Sequence, residues 1–159
     1  MTDQPQANDD QLATLLQLGR RARECQSAVE LRFLLVNESL ALLPYRQSAF
    51  WSEVNGVEVL SGVSSVERHA PYTQWLNDWF KSAPKGDKTL AFQTDLRLLS
   101  KSDNRWQEWL PAHLVSVYLP PLGRFKGGRL MLARDTLFSQ AELALLQEWC
   151  DIWRGEYQH

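Results

Sequence analysis

Apolar positions along the chain first recur at helical spacing. Leu12, Leu15, Leu16 and Ala22 predict a helix from an N-cap at Asp9 or Asp10 to about Gln26, with Gly19 weakening it slightly. Ser27 followed by Glu30 makes a capping box for a second helix, whose expected buried stripe is Val29, Phe33, Val36 and Leu40 and which Pro44 stops. The period then falls to two. Residues 48–54 and 57–63 flank Asn55-Gly56, the signal for a two-residue β-hairpin with a type I′ turn. That register pairs Trp51 with Leu60 and sets Glu53 opposite Glu58, a like-charge pair that solvation must relieve. Pro71 opens a third helix with Tyr72, Trp75, Leu76, Trp79 and Phe80 on one stripe, ending near Pro84. Residues 89–96 are expected as a strand and 101–109 as a short helix; 114–119 and 128–134 pair as a hairpin. Ser139 with Glu142 caps a closing helix that carries Leu143, Leu146, Cys150 and Trp153.

Helix, helix, hairpin, helix, strand, hairpin, helix is the order of an α+β fold, an antiparallel sheet flanked by helices without repeated βαβ units. The 159 residues suit one domain at 10–159 behind a disordered tail at 1–9. Seventeen basic against 19 acidic side chains, a net charge of -2, lack the basic footprint that nucleic acid requires. Cys25 and Cys150 stand far apart with no CxxC spacing and are expected as buried or semi-buried thiols. No apolar run of about 18 residues spans a bilayer, and the polar start differs from a signal peptide. The expected location is cytoplasmic, with room for this to be the soluble part of a membrane-anchored protein.

Catalytic chemistry finds little to use. A nucleophile needs a base within hydrogen-bond reach and a group to orient it, and no such spacing occurs. His69 and His113 lie at element edges beside prolines, where surface or capping roles are expected. The run Gly123-Arg124-Phe125-Lys126-Gly127-Gly128-Arg129 lacks the ending and strand-to-helix context of a phosphate loop and is read as a hairpin connection. The expectation is a non-enzyme with no cofactor and no metal.

The order of elements resembles a GAF domain. More specifically, Asn37-Glu38, Leu42 to Ser48, Ser61-Gly62-Val63, Ala70-Pro71 and Trp75-Leu76, followed by Trp109-Leu110-Pro111, Leu119-Pro120, Gly127-Gly128 and Leu132 to Asp135, resemble GAF-like segments ahead of haemolysin-D-type periplasmic adaptor proteins of bacteria. The resemblance covers roughly residues 12 to 155. It implies a sheet with the first and last helices on one face and a small-molecule pocket on the other, in the setting of an export or efflux system. The Asn-Lys-Phe-Asp-Glu signature of cyclic-nucleotide GAF domains is not present, nor is a pocket cysteine for bilin attachment or for methionine sulfoxide reduction.

Two functional readings follow. In one, the chain is a regulatory or docking module that acts through protein contacts, its pocket filled by its own tryptophans and its closing helix presenting Leu145, Trp149 and Ile152 as a homodimer surface. A membrane transport or secretion component is then the expected partner. In the other, it senses a small molecule in an aromatic pocket lined by Trp51 or Phe50, Trp75 and Tyr118, with Arg46 as the polar anchor.

Overall fold

In the computed structural model, which describes residues 9–99 and 104–157, α1 spans Asp9–Glu24 and α2 spans Ala28–Glu38. Residues 1–8 of the expected tail, the first part of the short helix at 101–109 and His159 lie outside the described residues, while Asp9, expected in the tail, opens α1. Ser27 caps α2 as its side chain accepts from Glu30 N at 3.1 Å. The buried positions of α2 are Leu31, Leu34, Leu35 and Val36, whereas Val29, Phe33 and Leu40 are exposed, a correction to the expected stripe. Five apolar residues fall within Leu31–Val36, so periodicity cannot select a face and packing does. On α1 the buried residues are Leu18, Gly19 and Ala22, with Leu12 and Leu16 facing out.

Strands β1 (Gln47–Ser52), β2 (Gly56–Leu60), β3 (Leu90–Asp95), β4 (His113–Leu119) and β5 (Gly128–Arg134) form one antiparallel sheet in the order β2-β1-β5-β4-β3. The first hairpin departs from its expected register. Ser52 pairs with Gly56, Trp51 with Val57 and Phe50 with Val59, so the loop holds three residues and Glu58 is an extra residue on β2. Gly56 alone adopts positive φ, +74°; Asn55 does not, so the turn is not type I′. A three-residue loop that closes on a left-handed glycine satisfies the same sequence signal. A Cβ at Gly56 would also stand 2.7 Å from Asn77 Oδ1, the acceptor for Val57 N. The two glutamates do not oppose each other: Glu58 accepts from Asn55 Nδ2 at 2.7 Å and pairs with Arg32 at 3.1 Å.

Helix α3 (Pro71–Ser82) covers one face, called distal here, and α4 (Gln140–Glu156) covers the other together with α1 and α2. The capping box of α4 is complete, Ser139 and Glu142 each bonding the other's backbone. Gln147 Oε1 accepts from Ala91 N at 2.8 Å and ties α4 to β3. The helix-side core holds Trp149 and Trp153, both fully buried, and each indole N–H has an acceptor at 2.7 Å: Ser39 Oγ and the Leu31 carbonyl. Leu145 and Trp149, expected on a dimer surface, are therefore interior. Ile152 is half-buried, 3.6 Å from where a Cβ on Gly19 would sit. The wide apolar arc of α4 is explained within the chain, because α1 and α2 close its second side.

Candidate functional site

Alternation along the strands builds the distal face in cross-strand rows. Leu90, Tyr118, Arg129, Trp51 and Val57 make one row, and Phe92, Ser116, Met131 and Ala49 make the next. Small side chains at Ala49, Ala133 and Ser116 leave depth beneath α3, which fills it with Trp75, Leu76 and Phe80. Trp106 and Leu110 complete the cover. Trp51 stacks on Phe80 with ring centroids 6.0 Å apart, and Trp75 stacks on Trp79 at 6.4 Å. Tyr72 donates to Gln47 Oε1 at 2.9 Å, and burial pushes its hydroxyl pKa well up. Along β3 every residue is half-buried, so this edge of the layer is the least covered.

At the centre of the first row lies Arg129, 2% exposed. Its guanidinium carbon is 5.1 Å from the Trp51 ring centroid and 5.7 Å from that of Tyr118, a cation held between aromatic rings on the two strands that flank β5. Nη1 donates to the Phe80 carbonyl in the last turn of α3, where the helix dipole is negative. No carboxylate pairs with Arg129 among the described residues. Its Nε has no hydrogen-bond partner, nor has Trp51 Nε1 or Ser116 Oγ on the same face. The other unpartnered buried atoms, Ser48 Oγ, His113 Nδ1 and Arg154 Nε, are on other parts of the molecule. Burying a guanidinium without a counter-charge is unfavourable by several kcal/mol in order of magnitude, which aromatic faces and one carbonyl offset only in part.

The structure brings together three of the expected pocket residues, Trp51, Trp75 and Tyr118. Phe50 is not among them. Adjacent strand residues point to opposite faces, so Phe50 packs on Trp153 in the helix-side core at 5.6 Å. Arg46 is also elsewhere: it is exposed at the start of β1 and pairs with Asp135 at 3.1 Å. The buried cation of this face is instead Arg129, which the sequence reading left inside a glycine-rich connection. Its signal was the alternation of Arg129, Met131 and Ala133 against Leu130 and Leu132, which sets a charge on a buried face.

His69 is exposed and His113 half-buried at the far end of β4, and no group of three His, Cys, Asp or Glu side chains could hold a metal among the described residues. Cys150 is wholly buried beside α4's partners, with its thiol pKa pushed up by burial and then by Asp151. No helix among the described residues is long and apolar enough to cross a membrane.

No family model and no curated protein sequence matches the chain. Among solved structures, the GAF domain from an Acinetobacter phosphoenolpyruvate-protein phosphotransferase superposes with a TM-score of 0.60 at 17% sequence identity, covering 96% of this chain and 95% of that one. The fold is therefore GAF-like, an α+β arrangement with a five-stranded antiparallel sheet. That neighbour supports the GAF half of the sequence resemblance; the adaptor half rests on the sequence string alone.

Proposed function

Given a GAF-like fold with an unpaired guanidinium buried on one face of its sheet, we propose that this chain is a non-catalytic regulatory domain that senses a small molecule between α3 and the sheet. The observation that carries the reading is the set of unsatisfied polar atoms at Arg129, Trp51 and Ser116, each in a residue more than nine-tenths buried. Buried polar groups in folded proteins are nearly always paired, and exceptions concentrate where something else completes them. Native mass spectrometry of the purified chain, followed by thermal denaturation against a metabolite library, tests it. A compound that raises Tm and changes tryptophan fluorescence is expected; a library with no such compound, together with crystals in which the distal layer stays packed, defeats the reading.

A second reading, docking to another protein, is favoured by apolar residues left exposed on the outer side of the helical layer: Leu12 and Leu16 on α1, Val29 and Phe33 on α2. Such a surface suits self-association, or the export or efflux setting that the resemblance implies. Sedimentation of the chain and of a Leu16→Glu, Phe33→Glu double variant tests it. A monomer at all micromolar concentrations removes the homodimer.

A further inference from the structure

We infer that the ligand of the distal layer is a monocarboxylate carried on a planar apolar body, with Arg129 as its anchor; this rests on the sensing reading above. Nη1 of Arg129 is already committed to the Phe80 carbonyl. What remains is the edge that carries Nε, which has no partner. A guanidinium offers that edge as two parallel N–H donors, and the group whose oxygens match their spacing is a carboxylate.

Charge selects further. Arg129 is the one unpaired cation among the buried described residues, since the other buried arginine, Arg134, is bound to Glu142. A single positive charge is neutralised by a single negative one, whereas a dianionic phosphate would leave surplus charge in a layer walled by Trp51, Phe80 and Tyr118. Trp51 Nε1, beside Arg129 on β1, and Ser116 Oγ, one row over on β4, both lack partners and add neutral donors on the two strands that flank β5. The aromatic walls accept a flat apolar body and reject a highly hydrated one. Phe92, half-buried in the next row and on the edge strand, marks the side on which the layer is least covered.

The test uses the whole chain and defined probes. Phenylacetate and indoleacetate are titrated in, with phenylacetamide as the neutral isostere and inorganic phosphate as the dianion, read by calorimetry and tryptophan fluorescence. The acids are expected to bind at least about tenfold more tightly than the amide, the difference a charge-assisted bidentate pair supplies, and phosphate is expected not to compete. Arg129→Met should reduce acid affinity to that of the amide, and Arg129→Lys, which keeps charge but not the fork, should recover only part. Equal binding of acid and amide would sink the carboxylate inference while leaving the sensing reading intact. So would phosphate competition, or unchanged acid binding by Arg129→Met. Failure of the acids and of every library compound defeats both. Should Arg129→Met not fold, the NMR resonance of the Arg129 Nε–H in the unmodified chain decides: it must move with phenylacetate and stay with phenylacetamide.

Discussion

Two buried arginines on strand β5, five residues apart, face opposite sides of the sheet and live by different rules. Arg134, on the helix side, bonds Glu142 through two nitrogens at 2.6 and 2.8 Å, and reaches the carbonyls of Thr136, Pro44 and Leu137. Its guanidinium also lies 4.0 Å from the Phe138 ring centroid. Arg129, on the distal side, has one carbonyl, two rings and an empty-handed Nε. The tryptophans repeat the contrast, since Trp149 and Trp153 have acceptors and Trp51 has none. The chain itself completes the Arg134 guanidinium, whereas the Arg129 guanidinium keeps a donor that the proposed ligand would complete. On the proposed reading, the Arg134 face serves stability and the Arg129 face serves binding.

The comparison breaks most visibly at the arginines. Arg134→Met should destabilise by about 3 kcal/mol or more, because it strands Glu142 and three carbonyls, whereas Arg129→Met should stay within about 1 kcal/mol of the parent or exceed it. Urea denaturation of both variants checks this, and a larger loss at Arg129 would reverse the assignment of the two faces. Next in size, Trp153→Phe and Trp51→Phe remove the same atoms, but only the first orphans a carbonyl, that of Leu31. The first should cost about 1 kcal/mol more than the second in the same assay. Acid sharpens the contrast a third way. Arg134 bonding, then the Ser139 backbone, holds the Glu142 carboxyl below its ordinary value of 4.5, although burial opposes this. The unfolded state therefore takes up the proton first, so the contribution is complete above that value and is lost as pH falls through the lower folded value. A Glu142→Gln variant should show a shallower loss of Tm across that acidic window than the parent. The smallest effect is expected at Arg46→Ala, less than about 0.5 kcal/mol, because its ion pair with Asp135 is exposed on both sides.

How far the sequence carried depended on whether local pattern or tertiary partnership decided each feature. Pro71, the Ser139–Glu142 box and the alternation of β4 are local, and the elements they announce are present. The fold class followed from their order. Asn55-Gly56 located the hairpin but not its register, because Ser52 Oγ accepts from Asn55 N at 2.9 Å and holds a longer loop in which only the glycine turns left-handed. Trp51, Trp75 and Tyr118 were legible as a layer, since aromatics on one strand parity and one helix stripe must meet. The choice between Phe50 and Trp51 needed the sheet's orientation, and the surroundings of Leu145 and Trp149 needed the position of α2. Alternation with Met131 and Ala133 could set Arg129 on a buried face, but its lack of a counter-charge was not legible, because that depends on residues far away in the chain.

The two thiols give the molecule a pair of internal clocks. Reagents that attack thiols consume the thiolate, and both cysteines hold their protons tightly, Cys150 through complete burial and Cys25 through partial desolvation and then the charge of Glu30. Cys25 sits half-buried at the α1–α2 junction, already partly accessible, so its labelling runs in the folded state at a rate set by its thiolate fraction. Cys150 reacts only after α4 has left the sheet, and its rate reports global unfolding. A ligand seated on the distal layer would slow the second clock through the stability it adds to the whole domain, while the first ran at its own pace.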